Sequence, residues 1–135
     1  MLANAPLTTI LPVVDLQRAR AFYEQKLGLG RGRAKPDGKF EYPIGNGALA
    51  LFQRGSPTKA DHTAVSFAVR DITAAIRELE SRGVVFHDYD LPGLKTVNHV
   101  CVLGSEKAAW FSDPEGNILC LHEDLPAYGK QGGSP

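Results

Sequence analysis

The chain has 135 residues, with 15 Lys plus Arg balanced by 15 Asp plus Glu and only two cysteines. That length suits one domain with a core of its own, needing neither disulfide nor metal support, and the charge balance excludes a basic face tracking a phosphate backbone or an acidic solvating tail. No apolar run approaches the roughly 20 residues of a membrane helix, and the N-terminal MLANAPLTT lacks a charged n-region and a long apolar core, so a single cytoplasmic domain without nucleic-acid or membrane partners is expected.

In chain order, the first predicted strand carries Thr9, Leu11 and Val13 on one side and Thr8, Ile10 and Pro12 on the other. It ends at Asp15, an N-cap for an amphipathic helix whose apolar stripe is Leu16, Ala19, Phe22, Tyr23 and Leu27, closed by Gly28. Strands follow at 30–34, 39–44 and 48–54, the last two joined by an IGNG turn. A new strand at 62–69 sets Thr63, Val65, Phe67 and Val69 against His62, Ala64, Ser66 and Ala68. Asp71 caps a second helix with Ile72, Ala75, Ile76 and Leu79 on one face, ended by Gly83. Strands are then predicted at 84–89, 107–112 and 117–123, the last pair joined by DPEGN. Residues 125–135, Gly- and Pro-rich, are expected to form a flexible tail.

The two halves share one plan: VVDLQRARAFYEQKLGL (13–29) and AVRDITAAIRELESRGV (68–84) are each a strand end, a capping Asp and a helix. Each half reads strand, helix, three strands, with module one at about 7–58 and module two at about 61–124. The second half carries an extra piece between Asp90 and Ser105. In both first strands the bulky face suits packing on the following helix, leaving a small, partly polar face to line something else.

These residues resemble the vicinal oxygen chelate superfamily of glyoxalases, bleomycin-resistance proteins and extradiol dioxygenases. LPVVDLQRARAFYEQKLGL, FAVRDITAAIRELESRGV and AAWFSDPEGNILCLHE carry the likeness, and YDLPGLKT before KAAWFSDPEGN is similar to a small bacterial subgroup. The resemblance implies an α+β fold of two βαβββ modules forming an open, barrel-like cleft, with a ligand on the concave face and a homodimeric assembly. It also implies metal-ligand positions, which fall here on Thr8, Ala50, Ala64 and Cys120. One cysteine beside two alanines does not supply the three or four His, Cys or carboxylate groups an ion needs. His62 and His122 lie two residues from Ala64 and Cys120, roughly 6.6 Å along a strand, beyond a shared ion. No family-type metal centre or other cofactor is therefore expected.

The candidate ligand-binding residues are Phe52, His62, Ser66, His99, Trp110, Cys120 and His122. Phe52 shares parity with Ala48 and Ala50; Trp110 or its neighbour Phe111 faces inward; the histidines and Ser66 would orient a ligand held by apolar burial. The expected function is binding of a small, largely apolar or aromatic molecule. The alternative is a lyase, isomerase or dioxygenase of the same superfamily with an atypical metal site, or a metal-free enzyme using Cys120 with a histidine.

Overall fold

A computed structural model of the chain describes residues 1–126. They fall into two compact units: Met1–Asp61 together with Asp113–Asn117, and His62–Ser112 together with the residues from Ile118 onward. Each has the predicted α+β plan of strand, helix and further strands.

The first unit contains β1 (Thr8–Val13), α1 (Leu16–Ala21), β2 (Arg33–Ala34), β3 (Phe40–Ile44) and β4 (Gly47–Gln53). Its sheet runs β1-β4-β3-β2, with β1 parallel to β4 and the β3–β4 hairpin antiparallel. Leu11, Val13, Phe40, Tyr42, Leu49 and Leu51 are buried, as are Ala19, Phe22 and Tyr23, which is the pattern of one strand face packed on one helix stripe. The helix predicted through Leu27 changes character at Phe22: residues Phe22–Lys26 form a π turn in which the Leu27 N–H donates to the Phe22 carbonyl at 3.1 Å. The wider turn lets the consecutive Phe22 and Tyr23 both point inward.

The DPEGN turn completes this unit. Glu115, buried, accepts hydrogen bonds from the Val14 N–H at 2.6 Å, the Asp15 N–H at 3.1 Å and the Arg18 guanidinium at 3.0 Å. Asp113 accepts from the Tyr23 hydroxyl at 2.6 Å and from the Asn117 side chain at 2.8 Å, and Asn117 also donates to the Pro12 carbonyl at 3.1 Å. Burial pushes the Glu115 carboxyl up, but the two amides and the guanidinium outweigh it and hold the group below its ordinary value.

The second unit contains β5 (Thr63–Ala68), α2 (Ile72–Ser81), the short ribbon β6 (Asp90–Leu91) and β7 (Leu94–Lys95), then β8 (Cys101–Leu103), β9 (Glu106–Ser112) and β10 (Ile118–Asp124). The main sheet runs β5-β10-β9-β8, with β5 parallel to β10. Its outer strand corrects the sequence reading. Residues 84–89 alternate like a strand, with Val84 and Phe86 buried and Val85 exposed, yet their backbone meets β9 only at an isolated bridge, Phe86 to Phe111, and a bond from the His87 N–H to the Trp110 carbonyl at 2.8 Å, among the described residues. The rest of that β9 edge pairs with β8, which comes from the extra piece. The Leu125 N–H bonds to the Ser105 carbonyl at 2.9 Å; the predicted tail beyond Pro126 lies outside the described residues.

Both helices are anchored by the same device. The Asp15 and Asp71 carboxylates accept the N–H of Arg18 and Ala74, each at 3.1 Å, as predicted for N-caps. The last strand of each unit supplies a second acceptor: Gln53 takes the Leu16 N–H at 3.1 Å and Glu123 the Ile72 N–H at 2.8 Å. Among the described residues no helix is long and apolar enough to cross a membrane.

Replacing Glu115 with Gln is expected to cost roughly 2 kcal/mol at neutral pH in urea unfolding. Because the folded carboxyl titrates below its ordinary 4.5, its stabilisation is present above that pH and is lost as pH falls through the lower folded value. The stability gap between parent and variant should therefore close on acidification; a gap constant through that range would show that the ionised carboxylate is not its source.

Candidate functional site

On β9 and β10, side chains alternate between the α2 side and an opposite face. Leu119, Leu121, Ala109 and Phe111 are buried on the α2 side, which settles that Trp110, not Phe111, belongs to the opposite face. There the antiparallel register sets Ser112 across from Ile118, Trp110 from Cys120, Ala108 from His122 and Glu106 from Asp124. On the other side of β10, Ser66 lies across from Cys120 and Ala68 from His122. The Ser66 hydroxyl and His122 Nδ1 share a hydrogen bond of 2.6 Å.

A β-bulge changes the reading of β5. Ile118 pairs with Thr63 but Leu119 pairs with Val65, so Ala64 is an extra residue. Alternation read straight through groups Thr63 with Val65 and Phe67; the bulge brings it round to Trp110, whose indole N–H donates to the Thr63 hydroxyl at 3.1 Å. Ser66, not Ala64, is thus the residue opposite Cys120, just as Ile10 lies opposite Ala50 in the first unit.

Trp110 packs edge-on against Tyr89 with centroids 5.6 Å apart. The Tyr89 hydroxyl meets His87 Nδ1 at 3.1 Å, and His87 Nε2 meets the Ser112 hydroxyl at 3.1 Å. A neutral imidazole has one donor and one acceptor nitrogen, so both are used. This Trp110–Tyr89–His87–Ser112 wall was not legible in the sequence, because a regular strand at 84–89 gives no reason for His87 and Tyr89 to gather at Trp110.

Cys120 is buried, and burial raises its thiol pKa against weaker opposing contributions from Ser66 and the Ala109 backbone. Its Sγ–H donates to the Leu121 carbonyl at 3.2 Å, while His122 Nδ1 is engaged by Ser66. This is the environment of an inert thiol. His62 is exposed, with Nδ1 3.2 Å from the neighbouring Thr63 carbonyl. His99 is not brought to the Cys120 face. It sits on the α2 side in a turn where Asn98 and His99 both have positive φ, stacked on Phe86, with Nδ1 2.8 Å from Asp88 and Nε2 3.1 Å from Glu80. A groove of about 460 Å³ runs beside it, lined by Ile76, Arg77, Val97, Val100 and Lys107. Phe52, half-buried opposite Pro12, belongs to the first unit.

Of the positions Thr8, Ala50, Ala64 and Cys120, the register sets Ala50 across from Ile10 rather than Thr8, and Cys120 across from Ser66 rather than Ala64. A different group, unforeseen from the sequence apart from His122, does gather ligand atoms: Glu106, His122 and Asp124 place them all within 4.8 Å of one another.

The model of the Glyoxalase/Bleomycin resistance protein/Dioxygenase superfamily matches residues 6–121. The chain belongs to that superfamily, whose βαβββ modules account for the doubled plan. No curated protein matches it in sequence. Among solved structures it is similar to a glyoxalase family protein from Enterococcus faecalis (22% identity, 91% of this chain and 100% of that one, TM-score 0.67). It is also similar to lactoylglutathione lyase from Agrobacterium tumefaciens (20%, 89% and 93%, 0.65) and to TnmS3, an antibiotic binding protein from Streptomyces sp. CB03234 (20%, 93% and 99%, 0.66). At these identities the likeness shows a shared fold.

Cys101 and Cys120 are both buried, so neither should react with a thiol reagent near neutral pH until the protein is unfolded. Rapid native labelling of Cys120, mapped by mass spectrometry, would contradict the assignment of an inert thiol.

Proposed function

We propose that the protein binds a small, largely apolar or aromatic molecule against the Trp110 face of the second unit, without a family-type metal centre, as a cytoplasmic homodimer. The observation that carries this reading is Trp110 itself. It is a half-buried indole whose only polar atom is already bonded to Thr63, braced by Tyr89 and set opposite Cys120, the position that the superfamily resemblance assigns to a metal ligand. An aromatic face whose polar atom is satisfied offers apolar area and stacking geometry, and the Ser66–His122 pair beside it can fix a polar edge of a ligand. The antibiotic binding neighbour from Streptomyces supports the reading by analogy of fold. The thiol version of the enzyme alternative is disfavoured, because Cys120 is held protonated by burial and His122 is engaged by Ser66.

Trp110 is the only tryptophan, so its fluorescence reports the site directly. Titration with planar aromatic antibiotics and flat aromatic dyes, in the presence of a chelator, should give saturable quenching by at least one compound. In calorimetry, Trp110→Ala should then weaken that compound about tenfold, equivalent to about 1.4 kcal/mol, while His99→Ala leaves its affinity unchanged. Binding that survives Trp110→Ala, disappears in chelator, or depends instead on His99 would overturn the proposal.

A further inference from the structure

The geometry points to a divalent-metal site at Glu106, His122 and Asp124, displaced from the superfamily's ligand position; it shares His122 with the polar edge of the aromatic binding face proposed above but does not rest on Trp110. Asp124 and His122 alternate along β10 on one face, and Glu106 projects from β9 directly across from Asp124. Their ligand atoms lie within 4.8 Å of one another. Ligands at about 2.0–2.2 Å from a common zinc-like ion stand closer together than that, so binding would draw these side chains inward onto the ion.

Two further features distinguish this group from a chance gathering of polar side chains. Like charges placed directly across an antiparallel pair repel, and among the described residues no Lys or Arg forms an ion pair with Glu106 or Asp124. The neighbouring Lys107 alternates onto the α2 side, where it lines the groove beside His99. A bound cation would relieve that repulsion. The imidazole also has an outer-shell partner: the Ser66 hydroxyl lies 2.6 Å from Nδ1 and accepts its hydrogen in the tautomer whose Nε2 presents the lone pair. This is the outer-shell arrangement that orients a metal-bound histidine. One imidazole and two carboxylates suit zinc, manganese or ferrous iron better than calcium or copper(I). Three protein ligands leave coordination open to water or to an oxygen of a bound molecule. Cys120, two residues back along β10, is roughly 6.6 Å away along the strand and takes no part.

The test uses the untagged full-length chain, stripped with chelator, desalted, and titrated with Zn²⁺ by calorimetry and with Co²⁺ by visible absorption. The expected result is one equivalent bound, with the Co²⁺ band and the Zn²⁺ heat both lost in His122→Ala and strongly reduced in Glu106→Gln and Asp124→Asn. Ser66→Ala should weaken binding by about 10–100-fold, the usual effect of removing an outer-shell partner, and His99→Ala should change nothing. Circular dichroism and thermal melting of each variant separate loss of ligands from loss of fold. Absence of a saturable equivalent in the folded parent, or binding that follows His99 rather than His122, overturns the site. Neither outcome touches the aromatic-ligand reading, which is scored by Trp110 fluorescence in chelator.

Discussion

The first unit depends on one buried carboxylate supplied from late in the chain. Taking an ionised Glu115 out of water costs several kcal/mol unless its lone pairs are filled, and here two backbone amides and a guanidinium fill them. Those amides belong to Val14 and Asp15, at the junction where β1 ends and α1 begins, so the same contact that stabilises Glu115 fixes the angle at which the helix leaves the strand. Asp113 and Asn117 extend the hold to Tyr23 in the π turn and to the carbonyl of Pro12. No buried side-chain nitrogen or oxygen lacks a hydrogen-bond partner among the described residues. A dense polar cluster of this kind is tolerated inside a protein only when it is fully satisfied.

The two units are variations on one plan, and their differences mark where chemistry can lie. The helix anchors correspond one to one, except that a neutral Gln53 in the first unit is replaced by an acidic Glu123 in the second, whose charge also favours the positive end of α2. On the faces away from the helices, the pair Ile10–Ala50 in the first unit corresponds to Ser66–Cys120 in the second. The first unit keeps that central pair apolar. The second adds a hydroxyl beside a histidine, with the only tryptophan across the next strand.

The repeated strand-Asp-helix segments, the helix ends at Gly28 and Gly83, and the α+β plan were legible because each rests on local chemistry: capping oxygens, apolar stripes and positive-φ glycines. The site was legible only in fragments. Ser66, Cys120 and His122 share one face by sequence parity and in the structure, the choice between Trp110 and Phe111 needed the strand register, and His99 is held on the α2 side by Phe86 and Glu80. Thr63 was misassigned because alternation carries no sign of the extra residue at Ala64. Glu106 and Asp124 were missed for a different reason, since a single strand's alternation says nothing about its neighbour's register. Counting outward from the DPEGN turn, with Ser112 across from Ile118, would have put the two carboxylates opposite each other.

The assignment of Asp113–Asn117 to the first unit also bears on the order of events during synthesis. The bond from Val14 to Glu115 spans a sequence separation of 101 residues, so the N-terminal half leaves the ribosome with the Val14 and Asp15 amides and the Tyr23 hydroxyl still waiting for acceptors. Loop closure over that distance is an entropic cost met before any contact rewards it. Nascent chains stalled just after residue 61 would therefore be more open to proteases than chains long enough to expose the DPEGN turn.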